Sequence, residues 1–370
     1  MHQNPQPTAV EAFPVPLEHE SDTTALVQLV TEGRLRPDEI CAVTGKTEGN
    51  RPGENSRAAA IGAVRRFLEE HSDLGADRIA RIPMVFSSGG VGILAPHVVV
   101  YAKRAWDGPV GPEPRLAIGT AQSAPIRPEW VGHPAMVEHV ADAVRAAARD
   151  AGIDPSDAEY VLTKSRGLQP EDLEDAQQRG HEISPFEPRL AVPKTSGAAA
   201  LGVAVAVDHL EMPADGDIGT NLDLWTDRVS SSAGREHRET QVVLLGNTTA
   251  AGGRLRVGRS VMTDLLDVDS LHRALRAAGL SVNGAPLAPD QRERIVAVYV
   301  KIGTPIGARL RGRRQVHNAE NPNYMNELKA AVGGMFAAAL QDTVLYISSG
   351  AVHQGPPGGG TVAVVVDQGR

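Results

Sequence analysis

The sequence predicts an α/β fold of three similar units arranged with pseudo-threefold symmetry around one central active site. Three observations predict it. A degenerate pattern recurs three times at spacings of roughly 115 to 140 residues. Each copy holds a short β-rich run that closes on a lysine, and each holds a second run that closes on serines and glycine. Strand and helix signals alternate within every copy, which is the signature of layered α/β packing.

The elements follow in the same order each time. A proline turn leads into the lysine strand: Pro37-Asp38 to CAVTGK at Lys46, Pro155 to YVLTK at Lys164, and Pro289-Asp290 to IVAVYVK at Lys301. An Ala-rich helix with an embedded glycine comes next, from Ala58, Ala198 and Ala330. Small residues at that spacing would let each helix approach its sheet closely. The serine strands are VFSSGG (Ser87-Ser88), RVSSSAG (Ser230 to Ser232) and YISSGA (Ser348-Ser349), and an apolar strand ends each copy: ILAPHVVVYA, TQVVLLGN and TVAVVVDQ. An opening strand and amphipathic helix are seen in RLAIGTA with VEHVADAVRAAARDAG and in RLRVGRSV with LHRALRAAG. Gly/Pro-rich connectors near 106–114 and 247–253 set units of 1–106, 112–248 and 252–370.

Composition narrows the function. The 370 residues are 41% apolar, but five Phe, five Tyr and three Trp are too few for aromatic layers or many base-stacking platforms. A net charge of -8 gives no general attraction to nucleic acid or anionic membranes. One cysteine, Cys41, excludes an intramolecular disulfide framework and fits a reducing compartment. The amino terminus lacks a basic and an apolar leader region, and no run nears the roughly 18 apolar residues of a spanning helix. A cytoplasmic protein with a small-molecule partner is expected, with the first dozen residues as a disordered lead-in.

Serine is a poor nucleophile until a base takes its proton, and lysine is that base only when its pKa falls. Three buried lysines around one cavity would depress one another. The candidate pairs are Ser87 with Lys46, Ser232 with Lys164, and Ser348 with Lys301. A lone serine or lysine at a strand end is ordinarily a solvated turn residue; the threefold coincidence argues otherwise. The glycines Gly89-Gly90, Gly234 and Gly350 would free backbone N–H groups to act as oxyanion donors or simply make turns. Arg311, Arg313 and Arg314 cluster in RLRGRRQ, a solvated face or a carboxylate-binding group. Neither GKTEGN nor HQGPPGGG fits a phosphate-binding loop, and the twelve histidines show no paired metal spacing.

GKTEGN, RGRR and the end SSGAVHQGPPGGGTVAVV together resemble the cyanuric acid hydrolase and barbiturase family of ring-opening cyclic amide hydrolases, over nearly the whole chain. The resemblance implies three α/β units with one Ser-Lys pair each around a single site, commonly in a homotetramer. It implies Ser232 as nucleophile and Lys164 as general base. Lys46, Ser87, Ser88, Arg57, Ser196, Gly89, Ala233, Lys301, Arg313, Ser348 and Ser349 would bind the substrate, with no cofactor and no metal. Arg57 and Arg313, eleven and twelve residues after Lys46 and Lys301, match the family's substrate arginines. Three positions depart. Ser196 replaces the second arginine, with Lys194 close by. Ser165 and Arg166 replace residues of the pocket wall beside the base. Gly303 replaces a glutamate associated with a structural metal, so no metal is expected. The expected reaction is ring opening of a barbituric- or cyanuric-type substrate; the alternatives are a non-catalytic heterocycle binder on the same scaffold and an ATP-dependent enzyme using GKTEGN.

Overall fold

The computed structural model describes residues 6–49, 55–89, 92–183, 188–282, 284, 286–315, 321 and 323–369, with only the backbone described at 188–191. The first unit contains β1 (Thr8–Pro16), α1 (Thr24–Thr31), β2 (Ile40–Lys46), α2 (Ser56–His71), α3 (Ala76–Arg81), β3 (Met84–Ser87) and β4 (His97–Ala105). The second contains β5 (Arg115–Gln122), α4 (Pro134–Ala151), β6 (Ala158–Arg166), α5 (Pro170–Gln178), α6 (Pro188–Val207), β7 (Val229–Gly234) and β8 (Gln241–Thr248). The third contains β9 (Leu255–Met262), α7 (Asp269–Ala277), α8 (Pro289–Arg292), β10 (Ile295–Ile302), the two-residue strands β11 (Arg309–Leu310) and β12 (Arg313–Arg314), α9 (Tyr324–Leu340), β13 (Tyr346–Ser349) and β14 (Gly360–Asp367). The opening strand forms at Thr8, inside the segment expected to be disordered, because it pairs antiparallel with β4 from Thr8–Ala105 to Pro16–His97.

All three units build the same four-stranded sheet: β1-β4-β2-β3, β5-β8-β6-β7 and β9-β14-β10-β13. In each, the lysine strand runs parallel to the serine strand and antiparallel to the last strand. Even an irregularity repeats: the lysine strand bulges at Ile40/Ala42, Ala158/Tyr160 and Ile295/Ala297, just after its proline turn. The shared topology makes the lysine and serine strand ends neighbours in every unit.

Side chains alternate across a strand, so residues two apart share a face. Ala42, Tyr160, Leu162, Ala297 and Tyr299 lie on the inner faces in one core to which all three sheets contribute. Lys46, Lys164 and Lys301 continue these same faces at the strand ends. Each outer face has its own core with helices, Phe67 and Leu68 in the first unit, Val137 and Leu201 in the second, Leu275 and Phe336 in the third. The close strand-helix approach comes from Gly119 and Gly258, where a Cβ would fall 1.8 Å from Ala147 O and 2.2 Å from Ala278 N. The helix glycines expected to make it do not: Gly202 abuts Val137 and Val140 of α4, and Gly333 abuts Leu94.

The scarce aromatics are concentrated rather than scattered. Tyr101, Tyr160, Tyr299 and Tyr346 all lie fully buried in the shared core, an aromatic layer that bulk composition had excluded. Their hydroxyls need partners there. Tyr299 bonds Thr44 at 2.9 Å and Tyr101 at 2.6 Å, and Tyr160 bonds Thr361 at 2.8 Å, tying the units together. Among the described residues, no helix is long and apolar enough to cross a membrane.

Candidate active site

The parallel pairing places each lysine directly beside a serine: Lys46 opposite Ser87, Lys164 opposite Ser232, and Lys301 opposite Ser348. The strand ends converge on a cavity of about 180 Å³. The first unit lines it with Arg57, Ser87 and Ser88; the second with Lys164, Val192, Pro193, Ser196, Ser232 and Ala233; the third with Lys329, Ser348, Ser349 and Gly350. Lys46 and Lys301 stand behind this wall, and Gly89 is buried and does not line the cavity.

Hydrogen bonds pass around the axis from unit to unit. Lys164 Nζ donates to Phe86 O at 3.0 Å, Lys301 Nζ to Ser231 O at 2.6 Å, and Ser87 Oγ to Ile347 O at 3.0 Å. Each acceptor is the carbonyl just before a paired serine. The third link is made by a serine because Lys46 turns away, donating to Ser88 O at 3.0 Å and Gly89 O at 2.9 Å. Two pairs make the lysine-serine contact, Lys164 Nζ to Ser232 Oγ at 3.3 Å and Lys301 Nζ to Ser348 Oγ at 3.2 Å. Of these, only Lys164 and Ser232 both line the cavity.

Burial disfavours the charged ammonium, and neighbouring cations add to it. Lys164, 2% exposed, is held well below the ordinary lysine value by desolvation and Arg57, with smaller pushes from Lys301 and Lys329 against a pull from Glu236. Lys46 is lowered strongly by burial and by Lys329, Lys164 and Arg57. Burial and Lys329 bring Lys301 to about 7, and burial and Arg57 bring Lys329 to about 8. Each shift moves a lysine beside a serine toward the uncharged form that a base requires.

Two groups escaped the sequence reading. Lys329, on α9, lines the cavity and donates to Ser88 O at 3.2 Å. It precedes Ala330-Ala331 as Arg57 precedes Ala58-Ala59, so aligning the helix starts would have found it. Arg313 is corrected accordingly: it is exposed on β12, away from the cavity, because counting along the chain from Lys301 ignores the short ribbon inserted before α9. Glu236, two residues beyond β7, bonds Arg57 Nε at 2.9 Å, while its Oε2 is buried with no hydrogen-bond partner among the described residues. Burial raises its pKa, but Arg57 and Lys164 outweigh burial and keep it below the usual value. It has no counterpart pattern in the other units, and repeats reveal only what repeats.

The departures fall unevenly. Ser196 is buried on the cavity wall, and Lys194 lies against Gly132 and Gly219 instead. Ser165 and Arg166 do not line the cavity, contrary to expectation. Strand alternation turns Ser165 to the opposite face from Lys164, where it accepts from Thr240 Oγ1 at 3.0 Å, and Arg166 reaches Ile126 O and Asp172. Gly303 is pressed against the backbone, its N–H donating to Gly359 O at 2.6 Å, and a Cβ there would lie 2.8 Å from that oxygen. No group of three or more His, Cys, Asp or Glu among the described residues fits a metal ion. Gly90 lies outside the described residues.

Three α/β units feeding one cavity of amines and hydroxyls define a pseudo-threefold protein with a single composite site. The chain belongs to the ring-opening amidohydrolase family, whose description as amidohydrolase ring-opening protein matches residues 11–367. It is 38% identical to barbiturase 2 of Nocardioides sp., covering 97% of this chain and 98% of that one. It is 35% identical to a cyanuric acid amidohydrolase of Bradyrhizobium diazoefficiens, covering 97% and 98%. A cyanuric acid hydrolase structure, described as an evolutionary innovation by structural concatenation, superposes with a TM-score of 0.90 at 30% identity, covering 98% of this chain and all of that one.

Proposed function

We propose that the protein opens a small planar cyclic amide or ureide of the barbituric or cyanuric acid type, with Ser232 as nucleophile and Lys164 as base. The observation that carries this reading is that Lys164 and Ser232 are the one pair whose members touch and also both line the cavity. Ser232 Oγ forms a bond to a ring carbonyl carbon as its proton passes to neutral Lys164 Nζ. The ring C–N bond then breaks, and the Lys164 ammonium returns that proton to the departing nitrogen. Water attacks the resulting ester or, from a ureide carbonyl, carbamate, Lys164 again takes a proton, and the chain of the opened ring leaves as a carboxylic or carbamic acid while Ser232 regains its hydrogen. Arg57 and Lys329 supply positive charge on the wall where oxygen becomes negative. Lys301, behind the wall, contacts Ser348 on the wall and braces the carbonyl of Ser231, next to the nucleophile.

The test is product release from a panel of cyclic ureides and imides, barbituric and cyanuric acids included. Turnover of a member by the native protein and its loss in Ser232→Ala support the reading. Turnover that survives Ser232→Ala contradicts it. A buried amine in contact with a cavity-lining hydroxyl supports this reading over a heterocycle binder, which needs no base beside a serine.

A further inference from the structure

The three cavity-facing helices do not present equivalent groups. Arg57 on α2 and Lys329 on α9 place cations on the cavity wall, whereas α6 places Ser196 there. A guanidinium or ammonium can hold a carbonyl oxygen and its developing charge; a hydroxyl flanked by apolar residues is a weak substitute. One turn before Ser196 the same helix presents Val192 and Pro193. These two residues, with Ser349 and Gly350, are shared with a second cavity of about 410 Å³ at the border of the second and third units.

This side cavity is apolar. Leu222, Ile306, Val352 and Pro357 line it, and among the described residues no acidic residue, lysine or arginine does. Its histidine, His353, has both ring nitrogens engaged by backbone, Nε2 accepting from Gly219 N at 2.7 Å and Nδ1 against Leu224 O at 2.5 Å. Burial lowers the pKa of that ring, which keeps it neutral. Ile306 is 63% exposed, Val192 50% and Leu222 41%, three large apolar side chains exposed around one cavity. At the junction Gly350 has φ +77°, and a Cβ built on it would meet no atom within 4 Å. The two cavities therefore adjoin across Val192, Pro193, Ser349 and Gly350, beside the corner that lacks a cation, with no side chain on Gly350 to fill the junction.

In a threefold site the three corners address alternate atoms of a six-membered ring. We infer that the preferred substrate is a cyclic ureide or imide with carbonyls at two alternate ring atoms and an apolar substituent at the third, the carbonyls held at the Arg57 and Lys329 corners and the substituent lying past Ser196 and Gly350 in the side cavity. A 6-alkyl-5,6-dihydrouracil has this pattern. The inference rests on ring opening by Ser232 and Lys164, and it narrows that reading to a substrate class.

The test compares kcat/KM for barbituric acid, 5,6-dihydrouracil and 6-butyl-5,6-dihydrouracil, and by calorimetry the binding of each to Ser232→Ala. The butyl compound is expected to exceed dihydrouracil by about tenfold or more in both measurements, since each methylene in a fitting apolar pocket is worth up to that order. Ile306→Asp and Leu222→Asp place a charge on exposed side-cavity positions, where folding tolerates it. Each should reduce the butyl compound's kcat/KM by about tenfold while leaving dihydrouracil within about twofold. Opening of barbituric acid or dihydrouracil with no gain from the butyl group overturns the inference and leaves the ring-opening reading intact. A butyl preference that both aspartate variants preserve also overturns it. If no ring is opened and Ser232→Ala binds none of the three, both readings fall.

Discussion

The first and second lysine-serine pairs share strand order, parallel register and the bulge that precedes them, yet their side chains do different things. Lys164 reaches Ser232 and spans to Phe86 O, while Lys46 bends back to Ser88 O and Gly89 O and leaves Ser87 to bond Ile347 O. Backbone symmetry thus supplies three equivalent seats, and local side-chain choices make them different: in the second, lysine and serine touch at the cavity wall, and in the first they do not. Glu236 sharpens the difference. Among the described residues, the second pair alone has a carboxylate beside it, half-buried, which pulls the Lys164 pKa back up against burial and three cations.

The largest expected effect comes from breaking the second pair. Ser232→Ala and Lys164→Met should each lower kcat/KM by about 10³-fold or more, and the double variant should be hardly worse than either single one, because a nucleophile and its base act as a unit. Additive losses would show that the two act separately. Ser87→Ala and Lys46→Met should cost less, about 10- to 100-fold, as expected of groups that bind and polarise rather than react. A Ser87→Ala loss equal to that of Ser232→Ala would erase the asymmetry between the pairs.

Glu236→Gln tests what sets the base. Removing the carboxylate removes the one group that raises the Lys164 pKa, so the acid limb of the kcat/KM profile should move to lower pH, with the loss of Arg57 pairing seen chiefly in KM. A shift to higher pH would exclude Lys164 as the titrating base. The smallest effect is on stability. Lys301 titrates at about 7 when folded against 10.5 for an ordinary lysine, so between those values the unfolded chain holds a proton that the folded one lacks. Raising pH through that window favours the folded state, and below about 7 this contribution is flat. Thermal melts should therefore show stability rising from pH 7 toward 10, with a shallower rise in Lys301→Met.

The repeat made the scaffold legible. Lysine and serine runs close three strands each, and short-range alternation then fixes which face they share, so the three pairs and their convergence followed from sequence. What stayed hidden depends on helices and loops meeting across units. Lys329 lies more than one helical turn into α9 and reaches the cavity only because that helix packs over the sheet end. Arg313 was placed by distance along the chain, which an inserted ribbon breaks. Glu236 occurs once, so comparison among repeats could not reveal it. The tyrosine layer was concealed for a different reason, since composition counts residues without regard to position, and four tyrosines gathered at one axis suffice.

Acid quenching during turnover of a substrate from the cyclic ureide panel, followed by peptide mass mapping, tests the central claim most directly. The account predicts that the ring-opened acyl group is found on the peptide carrying Ser232 and is absent from Ser232→Ala. Acylation of Ser87 or Ser348, with Ser232 unmodified, would contradict it.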